Sequence, residues 1–216
     1  MIGKILYSLQ FLWGGLLVTG EVSGLVVALA LVFGVVLGAG VTYGPWFVAW
    51  PIRLFSDVIR GIPILVLIFF VYYGLPAVHV NLASFAAAVF ALTLFSTAQV
   101  IEIVRGALQS IHHGQMEAGK AIGLTFAQRL AYVILPQALR RFLPPWINSV
   151  VDAVKGSALV SLVGIVDLMQ AVQQVAGRTF EALPVYIMGA LIYFVINYAL
   201  SSLSRGLERR FAYIRE

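Results

Sequence analysis

The sequence predicts an all-α membrane protein: five transmembrane helices and one polar segment outside the bilayer. Three observations carry that prediction. Of 216 residues, 61% are hydrophobic and 11% charged, and the mean hydropathy is +0.97. A water-facing surface needs far more charge than this. Second, five apolar runs reach the roughly 20 residues that a helix needs to cross about 30 Å of hydrocarbon. Third, residues 117–136, EAGKAIGLTFAQRLAYVILP, break the apolar pattern with Glu117, Lys120 and Arg129. The chain reads as a single transmembrane domain over 1–216, with a cytoplasmic loop at about 108–140. With no cysteine, neither a disulfide framework nor a thiolate metal site is available.

The first run, at about 15–41, follows a lone Lys4 and imitates a signal peptide. Its apolar character continues past Gly24 to about Val41, so it reads as an uncleaved span. Gly20 and Gly24, then Gly34 and Gly38, stand four apart, a spacing that lets helix backbones approach closely. Packing within the chain and a dimer face both fit it. Next, TYGPWFVAWPIRLFSDVIRG carries prolines, Trp46, Trp50 and two arginines, and suggests an elbow at the membrane interface. The remaining spans are expected at about 60–77, 83–104, 147–170 and 184–204.

Basic residues set the orientation. Five spans put the termini on opposite sides. If the carboxyl terminus is cytoplasmic, that side collects Arg53, Arg60, Arg105, Lys120, Arg129, Arg140, Arg141, Arg205, Arg209, Arg210 and Arg215. The other side keeps Lys4 and Arg178, with Lys155 inside a span. The amino terminus is therefore expected outside. The net charge of +5 reads as an orientation signal, not as a nucleic-acid surface.

The polar segment parses into a short helix from Glu117 to Ile122, ended by Gly123, which tolerates the left-handed conformation of a helix end. Thr125 then suits an N-cap, with Gln128 completing a capping box. The second helix should run until Pro136 bends or stops it. Such an elbow is shaped to fit a groove on a soluble partner; a solvated loop is the plainer alternative.

These residues resemble a known family. Glu117 and Ala118, then Gly123, then Leu135 and Pro136 match the EAA loop of permease subunits of ATP-binding-cassette importers. Gly119 replaces the second alanine of that motif and Val133 its isoleucine; the glycine should soften the short helix by up to about 1 kcal/mol. RGIPILVLIFFVYYGLP (60–76), EIVRGAL (102–108), ILPQALRRFLPPWIN (134–148) and KGSALVSLVG (155–164) are similar to the group that carries histidine, glutamine, glutamate, arginine or opines. The likeness covers about residues 10 to 210. Gly156-Ser157 departs from it, where the group more often has a polar residue followed by threonine.

The resemblance implies the type I importer fold in a bacterial inner (cytoplasmic) membrane and a coupling helix that docks on an ATPase subunit. Glu117, Ala118, Gly119, Gly123, Leu135 and Pro136 would belong to that coupling device. It further implies a second permease subunit, identical or homologous, and an extracytoplasmic solute-binding protein delivering a polar amino acid. ATP and Mg would sit on the partner subunits, with no cofactor on this chain.

The stretch GQMEAGKA (114–121) has phosphate-loop spacing, but Ala121 stands where Ser or Thr must ligand Mg²⁺, and no strand leads into it. His112 and His113 are adjacent, with Glu117 five residues beyond His112, which is not HExxH. No GxSxG surrounds any serine. An enzyme is not expected.

Ionisable groups within spans mark site candidates. Asn148, Ser149, Asp152, Lys155 and Ser157 follow one another on the fourth span, and Asp152 and Lys155 share a helix face. They either pair with each other or line a path where an amino acid presents ammonium and carboxylate; Asp152 would suit the ammonium. Ser96 and Thr97 on the third span either join that path or bond their own helix backbone. Glu102 with Arg105 reads as a structural pair; Tyr193 and Asn197 fit either role.

Overall fold

The computed structural model describes residues 2–212, with side chains over 8–210; Arg215 and the Lys4 side chain lie outside the described residues. Nine α-helices, with short π and 3-10 turns, account for the regular structure among them. Four are long and apolar enough to span a membrane, and a bent pair makes the fifth crossing.

Helix α1 (Ile2–Tyr43) runs parallel to α4 (Ser84–Gln109). A Cβ on Gly34 would lie 2.5 Å from Val100 Cβ, and one on Gly38 2.7 Å from Val104 Cβ. This glycine pair therefore serves contact within the chain, whereas a Cβ on Gly20 or Gly24 would meet no other element among the described residues within 4 Å. Gly34→Leu should wedge α1 off α4 and cost about 1–3 kcal/mol, as overpacking does. Thermal unfolding of the purified subunit in detergent should show it, with Gly24→Leu melting like the parent.

Helix α2 (Trp46–Gly61) forms the expected elbow. Trp46, Phe47 and Trp50 are exposed, while Ser56 is fully buried and donates from Oγ to the Ala98 carbonyl of α4 at 3.1 Å. The chain then turns by 104°. Pro63 has no N–H to continue α2 and forces Ile62 into an extended conformation (ψ 130°). Helix α3 (Ile64–Phe69) carries on through a π turn and a 3-10 turn to Val78. The second crossing is thus shorter than 60–77 and depends on that bend.

The fourth expected span, 147–170, is corrected. Helix α7 (Leu135–Ser157) starts far earlier, passes into a 3-10 turn over Ala158–Val163, and the chain breaks at Gly164 (φ +84°). It restarts as α8 (Leu168–Thr179), which lies against α1, with Gly15 packed on Ala171. A left-handed glycine ends one helix and Asp167 caps the next, so the stretch long and apolar enough to cross is Phe126–Val163 and α8 is a separate helix. Helix α9 (Ala182–Ala212) completes the bundle.

Of the two outcomes expected at Pro136, a bend or a stop, the stop does not occur. After α5 (His113–Ala121) and α6 (Phe126–Arg129), residues Leu130–Ile134 form a π turn in which the Leu135 N–H reaches the Leu130 carbonyl. The widened turn makes room for the proline ring, and the chain runs on as α7 without a stop. Three buried clusters hold the whole together. One joins α1, α3 and α4 around Val22, Ile68 and Leu92; a second joins α1, α8 and α9 around Leu12 and Leu168. The third, around Val104, Ile134 and Ala138, fixes the elbow's root to α4.

Candidate functional site

The α5–α6 elbow is locked at both of its ends. Gly123 adopts φ +82°, its N–H donates to Lys120 O at 3.0 Å, and the Leu124 N–H donates to Gly119 O at 3.0 Å. That pair of bonds is a Schellman close, which leaves few unsatisfied carbonyls and a fixed exit direction. Thr125 and Gln128 then form the full capping box, with Thr125 N donating to Gln128 Oε1 at 2.9 Å. His112 caps the start of α5, its Nδ1 accepting from Gly114 N at 3.1 Å.

Glu117 and Ala118 are exposed; Glu117 lies 3.2 Å from His113 Nδ1. Gly119 is buried, and a Cβ there would meet Arg129 Cγ at 2.9 Å. The stem of Arg129 crosses α5 at this point, and its Nη1 donates to Met116 O at 3.4 Å. The glycine that replaces the motif's alanine thus makes room for an arginine that ties α6 to α5. Ile122, Phe126, Tyr132 and Leu135 stay exposed, an apolar tip on a polar elbow. Pro136 is exposed beside them.

The second group lies along α7. Asn148, Asp152 and Lys155, spaced four and three apart, share one exposed face. Lys155 Nζ stands 3.8 Å from Asp152 Oδ1, both side chains 60% exposed. Two charges open to their surroundings on an otherwise apolar helix bundle are costly against lipid and mark a water-filled or partner-filled space. Ser149 turns inward and donates to Trp146 O at 2.7 Å. Ser96 and Thr97 are buried on α4. The expected site residues therefore divide, with three gathered on the exposed face and three inside the subunit. Toward the elbow, that face opens into a groove of about 770 Å³ between α4, α7 and α9. Glu102 and Arg105 do pair, with Arg105 Nε donating at 3.0 Å.

Two acidic residues escaped the sequence reasoning. Glu21 is exposed halfway along α1. Asp167 is fully buried where α1, α8 and α9 meet. Its Oδ1 accepts from Gln170 N at 2.9 Å and its Oδ2 from the Tyr193 hydroxyl at 3.3 Å, while the adjacent Leu168 N–H donates to Thr19 Oγ1 at 3.0 Å. Gly164 followed by Asp167 was a legible helix-end, helix-start signal, hidden by the apolar residues around it.

Residues 30–213 match the family described as the binding-protein-dependent transport system inner membrane component. The chain belongs to this family. It is a membrane transport subunit, not an enzyme. The glutamine transport system permease protein GlnP of Escherichia coli is 38% identical over 205 residues, covering 94% of each chain. The arginine transport system permease protein ArtQ of Bacillus subtilis is 31% identical, covering 94% of this chain and 93% of that one. A solved structure, described as an amino acid ABC transporter with histidines, superimposes with a TM-score of 0.88 at 32% identity, over 95% of this chain and 96% of the other. The fold is that of a type I importer permease.

Proposed function

We propose that this chain builds half of the path for a polar amino acid in an ATP-driven importer, the other half coming from a second copy or a homologue. The observation that carries the proposal is the elbow. A lever capped at both ends, rooted in a buried cluster and tipped with exposed apolar side chains is suited to carry force from a separate motor. Glu117, Ala118, Gly119 and Gly123 form the part that docks on an ATPase subunit, with Leu135 and Pro136 at its root. ATP and Mg²⁺ belong to those ATPase subunits.

The protein sits in a bacterial cytoplasmic membrane with its amino terminus outside, as the distribution of arginines supports. A solute-binding protein delivers the amino acid on that face. When the ATPases close, the elbows approach each other and the cavity turns outward; hydrolysis relaxes it inward, each ligand biasing two states through differential contacts. Asn148, Asp152 and Lys155 line the path. Ser96, Thr97 and Ser149 hold its wall from behind.

Reconstitution with ATPase subunits, followed by a screen for the ligand-loaded binding protein that stimulates hydrolysis, tests the proposal. No stimulation by any amino-acid-binding protein, or uptake driven by an ion gradient alone, would sink it. Within that assay, Asp152→Asn should reduce amino-acid uptake about tenfold or more, as losing one charge-assisted contact to the ammonium does. Its thermal stability should stay within about 0.5 kcal/mol of the parent, because the Asp152–Lys155 pair is exposed.

A further inference from the structure

The groove at the elbow end of α7 continues the polar face. Arg141, Pro145, Asn148, Asp152 and Lys155 recur at spacings of four and three, and all are exposed. They trace one stripe about 21 Å long, at 1.5 Å per residue. Along its inner part Asp152 and Lys155 cancel. At its end, Arg140 and Arg141 from α7 converge with Arg209 from α9, and Arg141 is held in place by donating to the Ser110 carbonyl.

The acidic groups nearby do not balance them. Glu102 is engaged by Arg105 at 3.0 Å, with Arg60 at 3.9 Å. Among the described residues lining the groove, this leaves Glu208 to oppose three guanidinium groups. With Glu102 taken up by Arg105, the lining is net positive, and low-dielectric walls focus the field of such a cleft. A solute leaving by this route meets positive potential from one subunit, and from two if a copy contributes the same.

We propose that this groove is the inner mouth of the translocation path, and that it selects amino acids without net positive charge, neutral zwitterionic or acidic, against cationic ones. This rests on the path assignment above and adds the class of solute. The arginines draw the carboxylate of the solute toward the cytoplasm, and a guanidinium or ammonium side chain is repelled at the same step. Rejection comes from a repulsive element built into the site, which is how binding sites commonly gain specificity.

The test is direct binding to the nucleotide-free complex of permease and ATPase subunits, without the solute-binding protein, so that only the path's own preference is read. Labelled glutamine, glutamate and arginine are the probes. Glutamate and glutamine should bind about tenfold or more tightly than arginine. The triple variant Arg140→Gln, Arg141→Gln, Arg209→Gln should shrink the glutamate-to-arginine ratio about tenfold, and raising salt to 0.5 M should shrink it in the parent. Arginine binding best, no binding by any of the three, or a ratio unmoved by the triple variant would each overturn the inference. ATP-driven uptake of amino acids by the same preparation, supplied with binding protein, reports separately on whether the chain is an amino-acid permease at all.

Discussion

Glu117→Arg should leave the subunit folded and inserted yet abolish ATP-driven uptake, a loss of at least a hundredfold. The side chain is 70% exposed and pairs with His113, also exposed, at 3.2 Å. Exposed pairs of this kind contribute little to folding. The caps of the elbow do not involve Glu117, since the Schellman close uses Gly119, Lys120, Gly123 and Leu124 and the capping box uses Thr125 and Gln128. A charge reversal here therefore spares the lever and strikes only what the lever touches. Placing like charge against a complementary surface in a desolvated interface typically removes more than two factors of ten in affinity.

Three measurements separate the outcomes. Membrane insertion and thermal stability of Glu117→Arg should match the parent, co-purification of the ATPase subunits should fall, and uptake should vanish. Unchanged uptake would detach the elbow from the motor. Loss of insertion would give Glu117 a folding role that its exposure contradicts.

The elbow was the most legible part of the chain because its signals are local. Glycine at a left-handed position and Thr125 with Gln128 each act within four residues, and a sequence displays such pairs openly. The first glycine pair shows the limit. Gly34 and Gly38 have the same spacing as Gly20 and Gly24, but only the former meet a neighbour, and that neighbour is some 66 residues away in α4. Pro136, read as a bend or a stop, left that choice open for a related reason. A proline predicts a stop only if the turn before it stays α, and here the turn widens to π.

The fourth crossing failed for a different cause. Hydropathy averages over composition, and in ALVSLVGIVDLM the apolar residues outweigh Ser161 and Asp167, so the break at Gly164 is invisible to it. Of the six residues expected to meet solute, the spacing placed Asp152 and Lys155 on one face of α7, since helical geometry is local, and the structure adds Asn148 to that face. Which way α4 turns Ser96 and Thr97 depends on its packing with α1 and α7, and no short window contains that information.

The hidden break makes the second large prediction. Asp167→Ala should destabilise the subunit by about 2–4 kcal/mol, combining a lost helix cap, a cavity and a lost hydroxyl bond. Asp167 is fully buried, caps α8 through Gln170 N, and takes the hydroxyl of Tyr193 on α9. On the other side, Thr19 of α1 receives the first N–H of α8. Three helices thus meet around this carboxylate, and removing it costs Tyr193 one of its bonds while α8 loses its cap. A double-mutant cycle with Tyr193→Phe separates the contributions. The two changes should be non-additive by about 0.5–1.5 kcal/mol, since either one alone breaks the same bond. Hydrogen exchange should quicken first at the amides of residues 168–171, the first turn of α8, while the elbow keeps its protection. If Asp167→Ala melts with the parent, or the cycle is additive, the carboxylate is a bystander and the junction of α1, α8 and α9 is held by the packing of Leu12, Leu168 and Val172 alone.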